Sequence, residues 1–236
     1  GAMRNRGVEI NVSADVLRIK DFTWNVNANV SYNKNEITEL YNGITEYVAS
    51  DTGRMVAVGH PLGEFYLNRY AGVNPTNGDA LWYTKDGEIT TEYNESDKVM
   101  LGKTHEAPWQ GGFGTTLSWQ GFSLSAQFTW VADRWMLNND RVFQESNGLF
   151  SAYNQSKRML YDRWKKPGDV TDIPRYGVTP QLDSRFLEDA SFLRLKNLML
   201  SYTFPQKWLQ RTNFLSSARI YAQGQNLLTF TSFTGM

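Results

Sequence analysis

Phe22-Thr23-Trp24-Asn25-Val26-Asn27-Ala28-Asn29-Val30-Ser31-Tyr32-Asn33 alternates apolar and polar side chains along its whole length. A period of two places Phe22, Trp24, Val26, Ala28, Val30 and Tyr32 on one face of an extended strand, with the asparagines on the other. The stretch before it does the same. Val8, Ile10, Val12, Ala14 and Val16 alternate with Glu9, Asn11, Ser13 and Asp15, and the polar bend Arg18-Ile19-Lys20-Asp21 joins the two runs into a hairpin. Few strands of water-soluble proteins alternate for so long.

A second hairpin repeats the design. Phe113, Thr115, Leu117 and Trp119 lead through Gln120-Gly121 to Phe122, Leu124, Ala126, Phe128 and Trp130. Gly121 suits the positive φ of a two-residue hairpin turn. Residues 191–204 and 216–230 are two further strands; in the first the apolar parity changes around Asn197, which predicts a β-bulge or emergence from an apolar layer. Trp24 and Tyr32, like Phe122 and Trp130, stand eight residues apart on the apolar face. That spans roughly 26 Å, the height of a lipid-facing band edged by aromatic girdles. The face of a soluble sheet core would carry similar residues.

Composition removes several classes of function. The 236 residues hold 24 basic and 24 acidic side chains, scattered among one another, so no basic stripe for nucleic acid stands out. There is no cysteine, and the two histidines, His60 and His105, are far apart in sequence, so neither disulfides nor a thiolate or histidine metal centre is expected. No apolar run reaches the ~20 residues of a membrane helix, and the first residues lack a signal-peptide core. Strands wetted on one side reconcile this with a membrane location, since their hydropathy averages to a modest value.

The connections are unequal. Those at 18–21 and 120–121 are tiny and that at 205–215 is moderate, whereas 35–109 and 131–190 are long and polar, as expected of periplasmic turns and extracellular loops. The first excursion should hold its own hairpin, 65–73 with 80–84, around Asn74-Pro75-Thr76-Asn77-Gly78-Asp79. Asx-turns account for that cluster better than a calcium loop, whose regular ligand spacing is missing. The second should hold a short helix over 151–164, before Pro167-Gly168. The strands 5–17, 22–34, 110–119, 122–131, 191–204 and 216–230 are fewer than the eight or so of the smallest outer-membrane barrel. Unpaired edges in lipid are costly, so the rest of the sheet is expected elsewhere and the chain reads as a fragment.

Several blocks carry a family resemblance. Gly1-Ala2-Met3-Arg4-Asn5-Arg6-Gly7-Val8-Glu9, Ser31-Tyr32-Asn33-Lys34-Asn35, Tyr70-Ala71-Gly72-Val73-Asn74-Pro75-Thr76-Asn77-Gly78-Asp79 and residues 164–175 (WKKPGDVTDIPR) occur in this order. Residues 186–197 (FLEDASFLRLKN) and 224–231 (GQNLLTFT) follow. Together they resemble the strand entries, hairpin and loop of the SusC/RagA-like TonB-dependent transporters, over essentially residues 1–236. The resemblance implies an all-β fold, an antiparallel up-and-down transmembrane barrel of 22 strands, of which about six lie here in its C-terminal portion. It further implies residence in the outer membrane of a Gram-negative bacterium and a SusD-like surface lipoprotein as lid. It implies TonB as the motor acting on a plug, and oligosaccharide or peptide cargo. The plug, TonB box and last strand are expected outside these residues.

Catalysis is not expected. Glu188-Asp189 and Asp169 with Asp172 are paired acids, but adjacent residues of an extended segment point to opposite faces. No phosphate-cradling glycine loop or Gly-x-Ser-x-Gly elbow is present, and no cofactor is expected. The competing expectations are a soluble β-sandwich carbohydrate-binding module, whose sheets would close within the chain, and a repeat-built adhesin, whose repeats are not found. For an importer, Trp82, Trp109, Trp135, Tyr153 and Trp164 are the candidate contacts for substrate or lid, since aromatic faces suit such ligands. Packing of the loops against one another is the competing role for all five.

Overall fold

The structure is a computed structural model that describes residues 1–49, 53–150, 152–210 and 214–235. Strand β1 (Ala2–Ile19) turns into β2 (Phe22–Glu39), each of 18 residues. The first excursion follows, with β3 (Glu46–Ala49), β4 (Arg54–Ala57), β5 (Glu64–Leu67), β6 (Arg69–Val73), β7 (Ala80–Tyr83), β8 (Ile89–Thr90) and β9 (Val99–Thr104). The chain then forms β10 (Trp109–Trp119) and β11 (Phe122–Ala132). The second excursion carries β12 (Trp135–Leu137), helices α1 (Asn139–Gln144) and α2 (Lys157–Tyr161), and β13 (Leu187–Asp189). It ends in β14 (Phe192–Thr203), α3 (Gln206–Leu209) and β15 (Arg219–Thr231).

The six long strands form one antiparallel wall in the order β1-β2-β10-β11-β14-β15. Register makes the wall two-faced. Ile10, Val30, Gly111, Trp130, Leu193 and Phe230 lie opposite one another across all six strands. The adjacent row, on the other face, is Asn11, Asn29, Gly112, Thr129, Arg194 and Thr229. The apolar face is bare: Val8 is 62% exposed, Ile220 62% and Phe230 58%. Among the described residues no second sheet covers it, so the wall does not close into a sandwich within them. Its rims are aromatic. Tyr32 meets Trp109 at 4.5 Å near the excursions, and Phe122 meets Tyr202 at 4.5 Å near the short turns.

Two bulges keep the apolar residues on their face. Lys196 is skipped where the register passes from Gln127↔Asn197 to Phe128↔Leu195, so Leu193 and Leu195 share a side with Leu198, Leu200 and Tyr202. The predicted bulge is therefore present. In β1 the register passes from Asp15↔Asn25 to Leu17↔Trp24, which sequence alternation did not reveal. Leu17 and Ile19 thereby replace Val16 on the apolar side, and the bend narrows to Lys20-Asp21. Gln120 (φ 47°) and Gly121 (φ 93°) make the two-residue turn expected between β10 and β11. Gly111 is needed where it stands, because a Cβ there would approach the Trp130 ring to 2.8 Å.

The excursions depart from expectation in two ways. Residues 65–73 are two strands: β5 pairs with β4 and β9, and after Asn68 the chain changes sheet so that β6 pairs with β7. A single extended run does not reveal that its two halves find different partners. The helix expected over 151–164 is confined to α2, capped by the Ser156 hydroxyl, and Ser151 lies outside the described residues. The hairpin tip 74–79 is built on Asx-turns, with Asn74 accepting from the Thr76 amide at 2.9 Å and Asn77 from that of Asp79 at 3.1 Å.

The apolar core lies in the excursions, which pack into one crown at the end of the wall away from the short turns. Phe65, Leu67 and Leu187 are buried together, flanked by Leu101, Trp135, Leu137 and Leu182. The wall itself depends on an apolar medium, because so broad a bare face is not stable in water. In the intact protein in lipid vesicles, Ala28→Arg, on the bare face, should destabilise the barrel by about 2–4 kcal/mol. Asn27→Arg, one residue away on the polar face, should change it little. Urea unfolding of the two variants checks this, and equal losses would reject the two-faced wall.

Candidate functional site

Two surfaces can meet a ligand: the crown and the polar face of the wall beneath it. The crown is joined across the excursions by Asp183, which is fully buried. Its carboxylate accepts hydrogen bonds from Trp82 Nε1 at 2.9 Å and from the Arg185 amide at 3.0 Å. Burial raises its pKa above the carboxylate range, and the nearby Arg185 only partly offsets this. The Arg185 guanidinium, 3.5 Å from Asp183, lies 4.6 Å from the rings of both Tyr70 and Phe186. Ser184 completes the join. Its amide donates to the Asn68 carbonyl at 3.0 Å, and its hydroxyl accepts from the Tyr70 amide at 2.9 Å.

A chain of alternating charges runs through the second excursion. Glu188 accepts from Arg141 at 2.7 Å, and Arg141 reaches both oxygens of Glu145 at 3.1 and 2.9 Å. Glu145 accepts from Arg158 at 2.8 Å, and Arg158 meets both oxygens of Asp172 at 2.7 Å. Glu188 also takes the amide of Thr234 at 2.8 Å, tying the residues after β15 to the crown. Burial would raise the Glu188 pKa, but the hydrogen bonds from Thr234, Arg141 and Asn138 hold it below the ordinary value. The hairpin tip is clasped similarly. Arg175 Nε donates to Asp79 at 2.9 Å, and the Gly168 amide donates to the Pro75 carbonyl at 2.8 Å. Lone polar loops do not announce such partners, and only the Asx and Arg composition of 164–175 hinted at them.

The five aromatic candidates do not converge on one pocket. Trp82 is interior, 5% exposed, packed edge-on to Tyr70 and Tyr93. Trp164 donates from Nε1 to the Pro75 carbonyl at 3.2 Å and lies so close to Gly78 that a Cβ there would come within 2.4 Å. Trp109 belongs to the apolar face and stacks at the rim on Tyr32. Trp135 packs on the core, with Lys103 Nζ 3.4 Å above its ring. Tyr153 is 58% exposed and leans on Phe143 and Phe150. His60 pairs with Glu64 at 2.9 Å, and among the described residues no three metal-ligating groups cluster.

The polar face holds a groove of about 360 Å³ near the crown, lined by Glu9, Asn11, Asn29, Gln110 and Thr129. Gly112 leaves it open between Asn29 and Thr129. Such a surface offers hydrogen bonds and shape, which suit the binding of a ligand.

Because Glu188 has a lowered folded pKa, its stabilisation is complete above the unfolded carboxylate range and is lost as pH falls through the folded value. The hydrogen-exchange protection of residues 138–190 in the intact protein, measured relative to the intrinsic rate at each pH, should therefore fall on acidification below about pH 4. Arg141→Ala should produce the same loosening already at pH 7, since breaking one side of a buried pair costs about 3–5 kcal/mol. Unchanged protection in that variant would show the charge chain to be incidental.

No protein-family model matches the chain. It is 28% identical over 258 residues to TonB-dependent receptor P3 of Formosa agariphila, covering 100% of this chain and 25% of that protein. It is 25% identical over 260 residues to TonB-dependent receptor SusC of Bacteroides thetaiotaomicron, covering 100% and 24%. Among solved structures it superposes on the RagAB peptide transporter with a TM-score of 0.92 and 36% identity, over 98% of this chain and 26% of that one. The RagAB peptide importer in the 'open-open' state gives a TM-score of 0.90 and 37% identity, over 99% and 26%. The chain thus spans about a quarter of the length of these relatives. A bare apolar face, a polar inner face and similarity along the whole chain identify it as a β-barrel segment of the SusC/RagA-like TonB-dependent receptors.

Proposed function

We propose that this chain forms part of the wall and outer mouth of an importer in the outer membrane of a Gram-negative bacterium. The observation that carries the reading is the two-faced wall, bare and apolar outside, amide-rich inside, in a chain similar throughout to TonB-dependent receptors. The short turns then face the periplasm, and the excursions 35–109 and 131–190 form extracellular loops. A plug coupled to TonB and a SusD-like surface lipoprotein closing the mouth complete the machine. Cargo passes along the polar face, and no bond in it is broken.

Of the two cargo classes, oligosaccharide and peptide, peptide is favoured. The RagAB structures, named for peptide transport, are 36% and 37% identical to this chain, against 25% for SusC. The amides of the inner face also match the alternating N–H and C=O groups of a peptide backbone. Among the aromatic candidates, Tyr153, which is exposed, and Trp135, which packs on the core but is only partly buried, are the proposed contacts with cargo or lid, because Trp82 is interior, Trp164 is held against the hairpin tip and Trp109 belongs to the apolar face.

In cells carrying the intact receptor, uptake of labelled oligopeptides should require both TonB and the receptor. Tyr153→Ala should lower uptake about fivefold at sub-saturating peptide, the effect of ~1 kcal/mol at a contact, without reducing the amount of barrel in the membrane. Trp135→Ala should lower uptake as well. Uptake of oligosaccharides in place of peptides would move the cargo to the other class, and uptake independent of the receptor would reject the import role.

A further inference from the structure

We propose that the inner-face groove beneath the crown is a subsite for a short zwitterionic peptide, its amino end at Glu9 and its carboxylate at Arg194. This rests on the peptide-import reading above and specifies a site for it. The argument begins with charge. Arg194 lies on the polar face of β14, where its Nε donates to Thr229 Oγ1 at 3.0 Å and its guanidinium stands 5.0 Å over the Phe192 ring. Glu9 lies on the same face of β1 and, among the described residues, its carboxylate accepts a hydrogen bond only from the Ser31 hydroxyl, at 3.4 Å. Among the described residues neither has an oppositely charged partner within salt-bridge distance, unlike Arg18, which meets Asp15 at 3.2 Å.

Register fixes how far apart they are. Glu9 aligns with Ser31, Gln110, Val131 and Phe192, and Arg194 is two residues further along β14. Four interstrand steps of ~4.8 Å and an offset of ~6.6 Å separate the two backbones by about 20 Å. An extended peptide of about six residues has that span. Between the charges lie Asn11, Asn29, Gln110 and Thr129, with Gly112 leaving a trough. The side-chain amides of Asn11, Asn29 and Gln110 have no hydrogen-bond partner among the described residues, so donors and acceptors alike are available to a peptide backbone. A neutral oligosaccharide would use the amides and leave both charges idle. Position favours cargo over an internal segment of the receptor, because Ser31, Gln110 and Val131 are each one residue from Tyr32, Trp109 and Ala132, where the crown begins.

The test uses the full-length receptor in detergent, with hexa-alanine, its N-acetylated form and its C-amidated form as probes in titration calorimetry. Acetylation and amidation should each weaken binding to the native receptor about tenfold, the worth of one charge-assisted hydrogen bond. Glu9→Gln should weaken free hexa-alanine by the same factor and leave the acetylated form unaffected. Arg194→Gln should do so for the free peptide and leave the amidated form unaffected, with Arg194→Lys restoring much of the loss. Equal losses for capped and free peptides, or no loss in either variant, would overturn the subsite while leaving peptide import intact. A native receptor that binds oligosaccharide and no form of the peptide would remove the import reading's cargo class and the subsite with it.

Discussion

Backbone amides and carbonyls in hydrocarbon must be paired within the protein, and that requirement organises this chain. Each unpaired group costs several kcal/mol where water is absent, so a membrane-crossing sheet has to be continuous from strand to strand. The wall meets this with antiparallel ladders between all neighbours in β1-β2-β10-β11-β14-β15, broken only locally by bulges. Only its outer edges, β1 and β15, lack a partner strand among the described residues. The side chains follow from the ladder: a flat run of pairing leaves alternate residues on opposite faces, and the medium on each side then selects apolar or polar types.

The bulges at Lys196 and Val16 belong to the same logic. An even number of residues between two apolar positions, such as the two between Leu195 and Leu198 or between Ala14 and Leu17, would turn half of a strand inside out, and an extra residue in one strand corrects the phase. At Lys196 this keeps Leu193 and Leu195 outside while Arg194 and Asn197 remain inside. The placement of a guanidinium on the polar face therefore depends on a local irregularity in the ladder.

The crown obeys different physics. Its strands are short, and its order comes from a small core around Phe65, Leu67 and Leu187 together with polar joints. Asp183 and the chain Glu188-Arg141-Glu145-Arg158-Asp172 join segments more than a hundred residues apart or hold one excursion to itself. Charges such as Asp183 and Glu145, which are buried, are weak sources of stability, but they are selective, because every partner must be present at once. A mouth that receives cargo and a lid needs its loops held in one arrangement, and on the proposed reading these joints provide it.

The sequence by itself determined the wall. Period-two alternation in 22–33 and 113–130 marked the strands and their faces, the parity change at Asn197 marked an irregularity that the register then showed to be a bulge, and the unequal connections marked the two ends. These are local properties, repeated every second residue, and a reader needs no partner strand to see them. Ordered motifs such as 186–197 and 224–231 added the family. Only the tertiary structure decided the rest. It divided 65–73 between two sheets, buried Trp82 against Asp183, and set Glu9 and Arg194 on one row-and-offset of the same face. Register between strands separated by long excursions, and pairing among aperiodic charged loop residues, are relations between distant parts of the chain, so no local pattern encodes them.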